Sequence, residues 1–118
     1  MAADPRSLLP LTPLAFQVLL ALADGDRHGY GIIREVETRT DGLIKLRSGT
    51  LYTLLQRLLA EALILESNTR PAAAEDDERR RYYALTEFGR AVLTAEARRL
   101  ESALGEARRK HVIGRSKA

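Results

Sequence analysis

The sequence predicts a mainly α fold with one small β-hairpin, a winged helix-turn-helix domain followed by a long C-terminal dimerisation helix. Three observations predict it. Four segments repeat apolar residues at the three-and-four spacing that lays them on one helix face. Two short runs between the third and fourth segments, Leu63 to Asn68 and Arg80 to Leu85, have the alternation and aromatic content of strands that pair as a hairpin. The last segment keeps an apolar rhythm of sevens past the point where any other element is left to pack on it.

Residues 1–10 hold two prolines and little periodicity, and a flexible arm is expected there. Thr12 and Pro13 start the first helix, with a hydroxyl at the N-cap and a proline at the next position, where its missing N–H costs nothing. Leu14, Val18, Leu19 and Leu22 recur on one face, Phe16 and Leu20 widen it, and Asp24-Gly25-Asp26 stops the helix. A second helix is expected over Gly29 to Arg39, with Ile32, Ile33 and Val36 inward and an intrinsically weak start at Gly29 and Gly31. Asp41-Gly42 ends it, and Leu43 to Leu46 is expected as a short extended strand. Ser48 is expected to cap a third helix from Gly49 to about Ala62, whose inward stripe is Leu51, Leu54, Leu55, Leu58, Leu59 and Ala62.

The hairpin tip, residues 69–78, is polar and ends in the acids Glu75 to Glu78. Thr86 caps the last helix, expected to reach about Arg109, and Glu87 suits the positive end of its dipole. Leu93, Ala97, Leu100, Leu104 and Ala107 form a heptad-like seam, expected as a homodimer interface with Leu14 or Leu8 contributing from the N-terminal side. The chain then divides into an arm (1–10), a winged-helix domain (11–86), a dimerisation helix (87–110) and a basic flexible tail (111–118).

The 118 residues suffice for one domain with a modest core. No cysteine is present, which excludes disulfides and thiolate metal sites. No apolar run reaches the length of a membrane span, and the N-terminus lacks the pattern of a secretory signal, so a cytoplasmic location is expected. The net charge of +3 invites a nucleic-acid reading, but Arg108, Arg109, Lys110, Arg115 and Lys117 crowd an acid-free last stretch and leave residues 1–107 at −2. Any positive surface on the folded part must therefore be local.

Enzyme chemistry finds no constellation. His28 and His111 lack ligand spacing, and no G-x-G-x-x-G, P-loop or G-x-S-x-G motif occurs. Ser48 has no local base, and the acids Glu75 to Glu78 are expected to be solvated rather than to hold a cation. No catalytic residue, metal or cofactor is expected.

The third helix offers a different chemistry. Its stripe leaves Thr50, Thr53, Gln56 and Arg57 outward, with Tyr52 at the boundary and Ser48 at the start. Hydroxyls, an amide and a guanidinium reach phosphates and base edges, and no acid stands on this face from Gly49 to Leu55. An amphipathic helix has a polar outside in any case, so the face alone leaves both readings open. Arg79, Arg80 and Arg81 at the hairpin base could clamp phosphates, although alternation puts Arg80 on the opposite face from its neighbours and the preceding acids could neutralise them.

Three pieces, HGYGIIREVE (His28–Glu37), SGTLYTLLQRLLAEALI (Ser48–Ile64) and RRYYALTEFGR (Arg80–Arg90), resemble the PadR family of bacterial transcriptional regulators, over roughly Leu14 to Leu100. The resemblance implies a winged helix, a dimerising C-terminal helix, binding to palindromic operators in double-stranded DNA, and repression released by a small molecule or another signal. It also implies DNA contacts from Thr50, Tyr52 and Thr53, with Arg57 further along, and from Arg80 and Arg81 at the wing base. Tyr30 resembles a family tyrosine that either touches the DNA backbone or packs, and Tyr82 and Tyr83 resemble paired packing tyrosines.

Two features depart from the family. Asp77 and Glu78 stand where the wing commonly has a glycine and a basic residue. There is also no tryptophan, so the family's sandwiching of flat effectors between tryptophans is not carried over. Two functions follow: a dimeric DNA-binding repressor, or a winged-helix protein-interaction module without specific DNA binding.

Overall fold

The structure is a computed structural model and describes residues 3–67 and 81–114. Helix α1 spans Pro13–Ala21, strand β1 Arg27–His28, helix α2 Gly29–Arg39, helix α3 Ser48–Ala60, strand β2 Ile64–Ser67, strand β3 Tyr82–Leu85 and helix α4 Glu87–Arg109. The strands form an antiparallel sheet in the order β1-β3-β2, with Ile64 opposite Leu85 and His28 opposite Tyr82. This is the winged helix-turn-helix with a long C-terminal helix.

The apolar stripes meet in one core: Val18 and Leu19 from α1, Ile32 and Val36 from α2, Leu51, Leu55 and Leu58 from α3, Tyr83 from β3 and Val92 from α4. Both tyrosines of β3 are buried, on opposite faces of the strand. Tyr83 joins the core, and Tyr82 meets the His28 ring edge-to-face at 5.2 Å.

Several expectations change. Residues 43–46 are not a strand. The third strand is β1, because the edge of β3 opposite β2 is covered by Arg27 and His28, while the Leu43 and Ile44 N–H groups donate to the Thr40 carbonyl and hydroxyl. Residues 5–8 are not a loose arm. Pro5–Leu8 forms a 3-10 turn capped by Asp4 and packed on α4, and Leu8, Leu9 and Leu11 pack against the core. Ser48 is the first residue of α3 rather than its cap; Arg47 takes that place and supplies no capping side chain.

Helix α3 ends at Ala60, and Ala62 is exposed in the left-handed conformation (φ 61°) instead of sitting on the inward stripe. The Leu63 N–H closes back on the Leu58 carbonyl at 3.0 Å, a C-terminal motif that usually has glycine at this position. Helix α2 ends the same way at Asp41 (φ 53°) and α4 at His111 (φ 62°). The left-handed region costs a non-glycine residue about 1–2 kcal/mol, and glycine adds up to about 1 kcal/mol of unfolded-chain entropy. Ala62→Gly is therefore expected to stabilise the protein by about 0.5–1 kcal/mol. Urea unfolding checks this, and a loss of stability would contradict it.

Helix α4, at 23 residues, is about 34 Å long. Its buried residues, Gly89, Val92, Leu93 and Glu96, all fall in its first half. The radius of gyration, 16.0 Å, exceeds the about 13.5 Å of a compact chain of this length, as a projecting helix requires.

Candidate nucleic-acid interface

Helix α3 forms because Leu51, Leu54, Leu55 and Leu58 bury one side in the shared core, next to α2 and β2. Ser48, Thr50, Tyr52, Thr53, Gln56 and Arg57 all remain exposed on the other side. Tyr52 leans toward α2, where its hydroxyl occupies the space a Cβ on Gly29 would need, 2.5 Å away. The glycine at the α2 N-terminus, a weak helix former by propensity, thus lets Tyr52 lie flat on the helix-turn-helix junction. Arg57 faces Glu61 one turn on at 3.6 Å, a loose ion pair that leaves its side chain 51 % exposed.

Tyr30 is 56 % exposed on the first turn of α2, flanked by the His28 ring on one side and the Arg34 guanidinium 5.8 Å from its ring centre. His28 caps α2 by accepting from the Gly31 N–H through Nδ1 at 3.0 Å. In the wing, Arg81 pairs with Glu66 across the hairpin at 3.2 Å. Arg79 and Arg80, and the acids Glu75 to Glu78, lie outside the described residues.

Three cations were not singled out by sequence. Arg34, Lys45 and Arg47 are exposed and have no acidic partner among the described residues, whereas Arg27, Arg39, Arg57, Arg81, Arg99 and Arg109 each have one. Lys45 and Arg47 immediately precede the α3 N-terminus, and their signal was legible: two basic residues directly before a helix whose first turns lack acids.

The seam on α4 divides. Leu93 is buried in the core of its own chain and is not available to a second copy, because α4 packs its first half on α1 and β3. Leu100 and Ala107 are half-buried, Ala97 and Leu104 are exposed, and Leu14 on α1 is half-buried against the core. Glu96, beside the seam, was not singled out by the sequence and is buried. Its carboxylate accepts from the Leu11 N–H at 2.8 Å and from the Arg99 guanidinium, tying the N-terminal segment to α4.

The hydrogen bond from Arg99, with the Leu11 N–H, holds the Glu96 carboxyl below its ordinary range against the opposing effect of burial. A lowered folded-state pKa means the stabilisation is fully present above the unfolded value and is lost as pH falls through the folded one. Stability should therefore decline on the acid side of the ordinary glutamate range, and Glu96→Gln should flatten that decline. Thermal melts across an acid pH series check it; an identical acid limb in the variant would count against the latch.

Among the described residues, no group of His, Cys, Asp or Glu could hold a metal ion and no helix is long and apolar enough to cross a membrane. Residues 18–95 match the Transcriptional regulator PadR-like family. A relative from Lysinibacillus sphaericus is 31 % identical over 77 residues, covering 65 % of this chain and 68 % of that protein. A 37.1 kDa transposon protein of Streptomyces fradiae is 41 % identical over 80 residues, 68 % of this chain but only 21 % of its own length. Among solved structures, a complex of hsRosR superposes with TM-score 0.67 at 30 % identity over 92 % of this chain and 90 % of the other. Bacillus subtilis PadR in complex with operator DNA shares the fold, with TM-score 0.60 at 21 % identity over 71 % of this chain and 46 % of the other.

Proposed function

Because the chain belongs to the PadR-like family of transcriptional regulators, and is a DNA-binding regulator rather than an enzyme, we propose that it acts as a homodimeric repressor on a palindromic operator. The observation that carries this reading is the outer face of α3, where Thr50, Thr53, Gln56 and Arg57 stand exposed with no acid before Glu61. Set in a major groove, this face offers hydroxyls and an amide to base edges and Arg57 to guanine or phosphate. Arg34, Lys45 and Arg47, with Tyr30, supply phosphate contacts on either side, and the wing arginines a further set. Two copies joined through α4 would present their α3 helices to successive major grooves, about 34–36 Å apart. A small-molecule effector or another signal relieves the repression.

The test is binding to duplex DNA from the region upstream of the protein's own gene, by anisotropy at several salt concentrations. Arg57→Ala should weaken specific binding by about tenfold or more, the worth of one good base contact. Replacing Arg34, Lys45 or Arg47 by alanine should lower affinity for all sequences alike and reduce the salt slope by about one each. Unchanged affinity in Arg57→Ala would remove it from the interface. The loss of every specific complex would leave the protein-interaction reading, which the pairing of Arg57 and Arg81 with their own acids favours.

A further inference from the structure

We propose that the cleft between the first turn of α1 and the outer face of α3 is an effector site for an amphipathic anion, a carboxylate or sulfonate on an apolar body, whose occupant excludes DNA directly. This rests on the reading of α3 as the DNA-contacting helix. The cleft holds about 700 Å³, within the range of small-molecule sites. Pro13, Leu14 and Leu54 line it with apolar surface, and Thr50, Thr53 and Arg57 supply its polar groups. None of its lining residues is acidic.

The guanidinium of Arg57 is 3.6 Å from Glu61, too far for a hydrogen bond, and its half-exposed side chain leaves donors for an incoming anion. The two threonine hydroxyls can donate to the same acid group while the apolar body lies on the proline ring and the leucines. These three polar residues are the ones assigned above to DNA. Ligand and operator therefore compete for the same atoms, and no conformational change is required.

Competition has a signature that a remote effector lacks. A remote site lowers DNA affinity to a plateau set by the coupling factor. A shared site raises the DNA midpoint without a ceiling; with one cleft per chain and both emptied for a palindrome, the rise goes as the square of one plus the ligand ratio, about 120-fold at ten times the ligand's own dissociation constant.

The probe is anilinonaphthalene sulfonate, whose emission rises in apolar sites and is easily read in a chain without tryptophan. Saturable binding at one probe per chain is expected. Pro13→Glu should weaken it at least tenfold, since a carboxylate at the first position of α1 suits the helix but repels the anion, while Pro13→Gln should leave it within about threefold. The DNA midpoint should climb without a plateau, approaching the square of the probe concentration. No saturable binding, binding indifferent to Pro13→Glu, or a plateau in the DNA titration each overturns the proposal, as does a cleft filled by a second copy. A chain that binds the probe as described yet no DNA would instead remove the reading of α3.

Discussion

Replacing Gly89 by alanine is expected to destabilise the protein by about 3 kcal/mol or more. Gly89 sits in the first turn of α4, where a Cβ would lie 1.9 Å from the Leu63 carbonyl oxygen and 2.8 Å from its carbon. Both are backbone atoms, so no side chain can swing away. The Leu63 backbone is itself pinned: its carbonyl accepts from the Thr86 N–H at 3.1 Å, and the Thr86 hydroxyl bonds the Ala62 carbonyl at 2.7 Å while accepting from the Gly89 N–H at 2.8 Å. Admitting a methyl group means separating α4 from the start of β2 and breaking the α4 cap with it. Overpacking costs about 1–3 kcal/mol where side chains can adjust, and the rigid neighbours here place the expected loss at or above that upper end.

At several degrees per kcal/mol for a domain of this size, the melting temperature should fall by about 10 °C or more. Gly105→Ala provides the control. Nothing lies within 4 Å of its Cβ position on the same helix, so alanine there should add about 0.5–1 kcal/mol. Equal effects at the two glycines would mean that helix propensity, not the close approach, sets the cost.

Leu100→Asp combined with Leu104→Asp is expected to convert a dimer into a 13.1 kDa monomer and to cost at least about a hundredfold in operator affinity. Beyond Glu96 no described residue of α4 is buried within the chain, yet Leu104 is 47 % exposed and Leu100 only half-buried on the same face. A second copy of the helix would cover that face, and two carboxylates per chain would have to be desolvated there. Loss of the dimer removes the second α3 from the operator, and with it the gain from binding two half-sites on one protein. Light scattering reads the mass, and a urea titration shows whether each chain still folds. Unchanged mass would place the interface elsewhere. A monomer that keeps full operator affinity would remove the palindrome.

The helices and the hairpin were legible because their information is local. Residues three and four apart lie on one face, so Leu51, Leu54, Leu55 and Leu58 specify an inward side of α3 without reference to anything else. The same spacing could have shown that Arg57 and Glu61 would meet. The errors cluster where a partner distant in sequence decides. Arg27 and His28 form a strand only because β3 has an edge to offer. Leu93 shares the heptad rhythm of Leu100 but lies where α4 still rests on its own domain.

The order of the helices and the hairpin, the outward face of α3 and the cationic residues around its start were thus determined by the sequence itself. The tertiary structure decided the rest: that Glu96 is buried under the N-terminal segment, that Gly89 must be glycine, and that α1 and α3 frame a cleft over the residues proposed to read DNA. A helix face needs only its own periodicity. A buried carboxylate, a backbone contact or a cleft exists only when a second, remote segment is brought against the first, and single-chain spacing contains no measure of that distance.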